Sequence, residues 1–241
     1  MGKTENYKSV YVYTQEDYYK NPKEIFGFLL NLIKKSRTSK TQDSLLDIGC
    51  SRGEFLYYVK SQGVLNRFAG VDYSQTLIKL AKEFSGLKGV SFYCHKAHNF
   101  QLKEKFDFIN MMGTLSFYDD VSAPLKNLKK HLLPGGRIFM TGLFNPFDVD
   151  VIVRYRNRVH DQGYEKGFNQ VSLRTLKEKL KESSLEIKKI HRFKFSKTLN
   201  RRQDPMRSWT VKLDGEKKFM IGLGVVYDLL TVEIGSWNEK N

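Results

Sequence analysis

Apolar and polar positions follow two alternating rhythms over residues 24–140. Residues 45–48, Leu-Leu-Asp-Ile, form a short apolar run broken by one acid, and a turn from Gly49 to Gly53 follows. Phe55, Leu56 and Val59 then recur at helical spacing. The same sequence of run, turn and helix repeats downstream. A strand is expected over 67–72, a helix over 75–84 and strands over 90–94 and 105–112. A helix over 124–132 must stop at Pro134-Gly135-Gly136, and a fifth strand follows to Met140. Upstream, Asn21 and Pro22 read as the cap and first position of a helix whose buried face is Ile25, Phe26, Leu29, Leu30 and Ile33. Alternating strands and helices imply a parallel sheet covered on both faces.

The rhythm is lost at 144–170, where acids, aromatics and arginines mix without a period. It returns with Ser172 as the cap of a helix to Leu180, a sixth strand over 185–195 and a last strand over 217–226, with more apolar sequence to Ile234. The whole reads as one domain, 1–241: an N-terminal lid and helix (1–42), a ligand-binding core (43–143), and an insertion with the last strands (144–241).

The turn at Gly49–Gly53 carries the candidate chemistry. A glycine there lets backbone approach a ligand closely, and the following helix presents unpaired N–H groups to it. Asp72, ending the second strand, is placed to accept hydrogen bonds from ribose hydroxyls. The three glycines of the nicotinamide fingerprint are not present, since Ser51 stands at the middle position.

Instead LLDIGCSRGEF resembles the first motif of the class I S-adenosylmethionine (SAM) dependent methyltransferases, and GVDYS their second. Phe106-Asp107-Phe108-Ile109 and LLPGG resemble two later ones, so the matches run over residues 45–140. The resemblance implies an α/β, Rossmann-like class I methyltransferase fold, a mostly parallel seven-stranded sheet with helices on both faces. It implies SAM as cofactor and S-adenosylhomocysteine as product. The implied cofactor residues are Asp47, Gly49, Cys50, Ser51, Gly53, Asp72, Tyr73, Ala97, Met111, Met112 and Gly113. Where many relatives carry an acid for the adenine amino group, this chain has Lys96, so that contact is not expected. The tyrosines of residues 7–19 belong to a segment that in this family often folds over the cofactor, and Tyr18 is a candidate to bind the acceptor.

Composition narrows the setting. The 241 residues are 40% hydrophobic and 13% aromatic, enough for one sizeable core. No run of about eighteen apolar residues suggests a membrane span. A polar N-terminus without an apolar leader region and two cysteines without metal or disulfide spacing make a cytoplasmic protein without a metal the expectation. The net charge is +15, and residues 151–210 hold +10 of it. Such a field attracts anions.

Arginine grips phosphate through two parallel hydrogen bonds. Arg154, Arg156, Arg202 and Arg207 are therefore the candidate acceptor-binding residues, with Tyr155 and Trp209 as neighbouring stacking surfaces. His160 and Tyr155 are the candidate catalytic groups, should a hydroxyl acceptor require a base. The C-terminal half more loosely resembles methyltransferases of bacterial surface-polysaccharide pathways. That resemblance implies a small phosphate-bearing acceptor, such as a sugar nucleotide or a capsule or lipopolysaccharide precursor. RNA is the second candidate acceptor, because aromatics lie among the arginines. A binding protein without activity is the third reading.

Overall fold

A computed structural model describes residues 14, 16–158, 163–201 and 207–237. Helix α1 (Glu24–Ser36) leads into β1 (Ser44–Ile48), α2 (Glu54–Ser61), β2 (Arg67–Asp72), α3 (Gln75–Glu83) and β3 (Ser91–Cys94). Then come β4 (Phe106–Met112), α4 (Ser122–His131) and β5 (Leu132–Gly142). The insertion holds four two-residue strands: β6 (Phe144–Asn145), β7 (Arg154–Tyr155), β8 (Glu165–Lys166) and β9 (Val171–Ser172). Helix α5 (Leu173–Glu182) and β10 (Leu185–Phe193) follow, then β11 (Trp209–Leu213), β12 (Glu216–Ile221), β13 (Val225–Tyr227) and β14 (Leu229–Ser236).

The central sheet has seven strands in the order β10-β14-β5-β4-β1-β2-β3. The run from β3 to β5 is parallel, and β14 enters antiparallel to both β5 and β10. This is the mostly parallel α/β sheet that the sequence predicts. Its two faces come from the period-two alternation of each strand. Leu46, Ile48, Ile109, Met111, Ile138 and Met140 pack on the side of α4 and α5. Leu45, Phe68, Phe108 and Phe139 pack on the other side with α1, α2 and α3.

Two expectations need correcting. The stretch expected as the last strand of the main sheet lies elsewhere. β12 and β13 pair with β11 in a separate three-stranded antiparallel sheet, and β14 completes the main one. Phe219 joins that small sheet to the α1 side through rings: it lies 5.3 Å from Phe195 and 5.7 Å from Tyr227. The helix expected to start at Asn21-Pro22 has Lys23 as its N-cap instead. No helix among the described residues is long and apolar enough to cross a membrane.

Candidate functional site

The chain leaves β1 toward β2 and β3, then crosses back to β4 and β5 on the other side. In such a sheet the carboxyl ends of β1 and β4 open a crevice, which is where ligands bind in open α/β folds. Parallel pairing sets Asp47 opposite Asn110. Asn110 Nδ2 donates to Asp47 Oδ1 at 2.7 Å, and both residues are buried. Burial pushes the Asp47 carboxyl up to about 7; the Asn110 hydrogen bond opposes the shift, and Asp72 and Glu54 add to it. A polar residue inside the apolar run FDFINMM was the available sequence signal for Asn110, and sequence reasoning passed over it.

The turn after β1 needs its glycines. Gly49 has φ +76°, and a Cβ there would stand 2.0 Å from Thr114 Oγ1. Gly53 has φ +81°, and a Cβ there would stand 2.8 Å from Leu87 and 2.9 Å from Phe92. Between them Ser51 is also left-handed, at φ +52°. The Ser51 N–H donates to Asp72 Oδ2 at 2.9 Å, and the Ser74 N–H donates to Oδ1 at 2.9 Å. Asp72 is thus fixed beside the turn, although burial raises its pKa.

Among the described residues, two buried side-chain atoms have no hydrogen-bond partner: Ser51 Oγ and Asn110 Oδ1. Each such atom costs about 1–3 kcal/mol. Both belong to this one junction of turn and strand. The set comprises two buried carboxylates, an amide oxygen and a hydroxyl beside a close backbone turn. It fits a ligand with an ammonium group and ribose hydroxyls, as S-adenosylmethionine has.

The other expected cofactor residues are placed as follows. Cys50 is buried and its Sγ would be 2.7 Å from a Cβ at Gly70, so the side chain fills the sheet side of the turn. Tyr73 is 53% exposed just beyond Asp72. Ala97 is buried and its carbonyl accepts from Asn127 Nδ2 at 3.1 Å, while Lys96 is exposed. The Met111 side chain lies in the core, Met112 packs on the opposite cluster, and Gly113 turns the chain with φ +72°.

An N-terminal piece touches the same turn. Tyr19 stacks on Phe84 at 3.8 Å and donates its hydroxyl to the Arg52 carbonyl. Arg52 Nη2 donates to the Glu16 carbonyl at 2.7 Å and pairs with Glu54 at 3.0 Å. Tyr18 lies under the Lys23 ammonium at 4.4 Å. Burial lowers the Lys23 pKa, while Glu54 and Asp47 pull the other way. Tyr19 and Lys23 lie in no motif, and Arg52 stands at a position the first motif leaves open, so the sequence does not announce them.

The insertion packs against the loop that follows β4, with Asn169 bonded to Ser116, Tyr118 and Asp119. Arg154, an expected acceptor residue, instead pairs with Asp119 at 2.7 Å, and Lys166 joins the same carboxylate at 2.8 Å. These two cations hold the Asp119 carboxyl well below the usual range. Arg154 is therefore engaged in holding the insertion to the loop after β4. The Tyr155 hydroxyl donates to Glu165 at 3.4 Å. Arg156 is exposed, and Arg207 is near enough to Lys23 to lower its pKa. His160 and Arg202 lie outside the described residues.

Comparison with known proteins agrees with this geometry. Residues 46–140 match the methyltransferase domain family. A malonyl-[acyl-carrier protein] O-methyltransferase of Bacillus anthracis is 26% identical over 127 residues, which are 52% of this chain and 47% of the relative. The chain thus spans about half the length of the curated relatives it matches. An S-adenosylmethionine-dependent methyltransferase from Clostridium acetobutylicum superposes with TM-score 0.61 at 14% identity, covering 96% of this chain and 98% of that one. A SAM-bound amino pentose methyltransferase from Micromonospora echinaspora, involved in calicheamicin biosynthesis, gives 0.54 at 14% identity over the same shares. The fold is that of the SAM-dependent methyltransferases.

Proposed function

We propose that this protein transfers a methyl group from SAM to a small anionic acceptor. The observation that carries the reading is the junction of Asp47, Asn110, Ser51 and Asp72 around the Gly49–Gly53 turn, with its two buried polar atoms awaiting partners. Asp72 would take the ribose hydroxyls, and Asp47 with Asn110 Oδ1 the ammonium end of the cofactor. SAM supplies a methyl already activated by a sulfonium, so alignment and exclusion of water supply most of the rate. The N-terminal piece over Arg52 and the insertion, bonded to Ser116, Tyr118 and Asp119, would be the two walls that exclude water. Where the acceptor atom is a hydroxyl, Tyr155 with Glu165 is the candidate to take its proton.

The anionic acceptor follows from the charge of residues 151–210 and from Lys23 and Arg207 near the crevice. A phosphate-bearing acceptor such as a sugar nucleotide is our first reading. The activity for which the relatives are named favours a second, a malonyl thioester on an acyl carrier protein. Two measurements test the proposal. Asp72→Ala should weaken S-adenosylhomocysteine binding by about 2–4 kcal/mol in calorimetry; unchanged affinity overturns the cofactor assignment. Turnover of labelled SAM with nucleotide sugars and with malonyl-carrier protein separates the acceptors, and label passing only to the latter defeats the phosphate reading.

A further inference from the structure

The corner that holds the buried carboxylates also holds a cation. The first turns of α1 and α2 pack on each other. The Phe26 ring lies 5.4 Å from Phe55 and 6.0 Å from Tyr58, and a Cβ at Gly27 would stand 3.3 Å from the Tyr58 hydroxyl. This packing brings Lys23, the N-cap of α1, to the place where the Gly49–Gly53 turn ends and α2 begins with Glu54. The Lys23 ammonium stands 4.4 Å from the centre of the Tyr18 ring and 5.8 Å from that of Phe26. The charges that act on it are Glu54 and Asp47, which favour its charged form, and Arg207 and Arg52, which oppose it.

Lys23 is half-buried, and among the described residues its ammonium makes no hydrogen bond and no ion pair. The neighbouring cations are engaged. Arg52 is held by the Glu16 carbonyl and by Glu54, and Arg154 and Lys166 are held by Asp119. Lys23 has two acids in range and reaches neither. A cation drawn out of water without a counter-ion lowers stability, and a ligand that brings an anion removes that cost.

The cofactor brings one. The methionyl end of SAM carries an ammonium and a carboxylate on the same carbon. Where Asp47 and Asn110 take the ammonium, the group that takes the carboxylate must stand beside Asp47. We propose that Lys23 receives the carboxylate of the cofactor's methionyl end, with the Tyr18 and Phe26 rings holding its ammonium in place. In the loaded enzyme the acceptor's anion is then left to Arg207 and the rest of the basic region. The inference rests on the reading of the β1–β4 crevice as the SAM site and adds the residue that meets the second charge of its zwitterion.

The probes are S-adenosylhomocysteine and its decarboxylated form, which keeps the ammonium, the thioether and the adenosine and lacks the carboxylate. In calorimetry the parent protein should bind S-adenosylhomocysteine about ten- to a hundredfold more tightly than the decarboxylated form. Lys23→Met should remove most of that preference: it should weaken S-adenosylhomocysteine by about the same factor and should not weaken the decarboxylated form. Lys23→Arg, which keeps the cation, should retain most of the preference. Equal weakening of both ligands by Lys23→Met would mean that Lys23 only supports the fold, and this result overturns the proposal. A preference for the carboxylate that survives in Lys23→Met overturns it too, as does unchanged cofactor affinity with a raised acceptor KM. Equal binding of the two ligands by the parent protein removes the carboxylate contact alone. Failure of the parent protein to bind either one overturns the cofactor reading beneath it, so the two failures are distinguishable.

Discussion

At the scale of residues, the buried carboxylate is the most sensitive element of the site. Asp47 titrates near 7 in place of 3.8. A folded-state pKa above the unfolded one means the folded chain keeps its proton longer. The ligand-free protein therefore gains from Asp47 below pH 3.8 and loses that gain as pH rises to about 7. A cationic ammonium set against Asp47 needs the ionised form. S-adenosylhomocysteine affinity should then climb about tenfold per pH unit up to about 7 and level off above it. Calorimetry at pH 6, 7 and 8 in two buffers of different ionisation heat checks this, with proton release expected only at the lower values; flat affinity would remove Asp47 from the cofactor's contacts. Gly49→Ala is a steric test of the same junction. Its Cβ would meet Thr114 Oγ1 at 2.0 Å with the backbone at φ +76°. It should lower stability by about 2–4 kcal/mol in urea and abolish cofactor binding. Asp47, Gly49 and Gly53 stand in one short motif and Asp72 in a second, where local geometry dictates residue types, so the turn they build was legible. Asn110 and Thr114 reach the same place from sixty-odd positions away along the chain, and pairing of strands, which no local pattern encodes, brings them there.

Among the elements, the parallel strands and their helices were readable from periodicity, and their ends shifted by only a residue or two. The insertion was not. Its strands are two residues long, so alternation has no room to show. Single side chains order it instead: Asn169 through its four bonds, and Asp150, which accepts from Ser172 N at 2.6 Å and Thr175 Oγ1 at 2.7 Å. β12 was misassigned for a different reason. Its pattern of lysines against Phe219 and Ile221 suits a half-buried strand in any sheet, and only its tight turn to β11 at Asp214-Gly215 decides which. The dependence on Asn169 is testable. Asn169→Ala leaves the Tyr118 carbonyl and the Val153 N–H without their partner, which should cost about 2–3 kcal/mol of stability. On the proposed function the insertion walls the acceptor side of the crevice, so acceptor KM should also rise several-fold while cofactor affinity holds. A stability loss with acceptor kinetics intact would separate the insertion from the acceptor site.

For the molecule as a whole, the question is what a net charge of +15 is for. Much of the basic side-chain inventory is spent internally. Arg192 pairs with Glu216 and Asp228, Lys218 with Asp228 at 2.9 Å, and Arg154 and Lys166 with Asp119. The excess remains large, and it would serve either a small anion or a nucleic acid. Salt separates the two sizes of partner. Each phosphate neutralised contributes roughly one unit to the slope of log affinity against log salt, so an acceptor with one diphosphate has a slope of about −1 to −2. An RNA held through about six to ten phosphates loses roughly a thousandfold or more between 50 and 200 mM salt. Between the same limits kcat/KM for a nucleotide-linked acceptor should fall less than about tenfold to twentyfold. Cofactor affinity, which we assign to buried groups around Asp47 and Asp72, should change little, because pairs out of water are screened less. The measurement is methyl transfer from labelled SAM over a salt series, run in parallel with nucleotide sugars and with total RNA. A steep slope with label in the RNA would reassign the basic half of the chain to nucleic acid, and a shallow slope with label in the small acceptor would tie its charge to a partner with no more than one diphosphate.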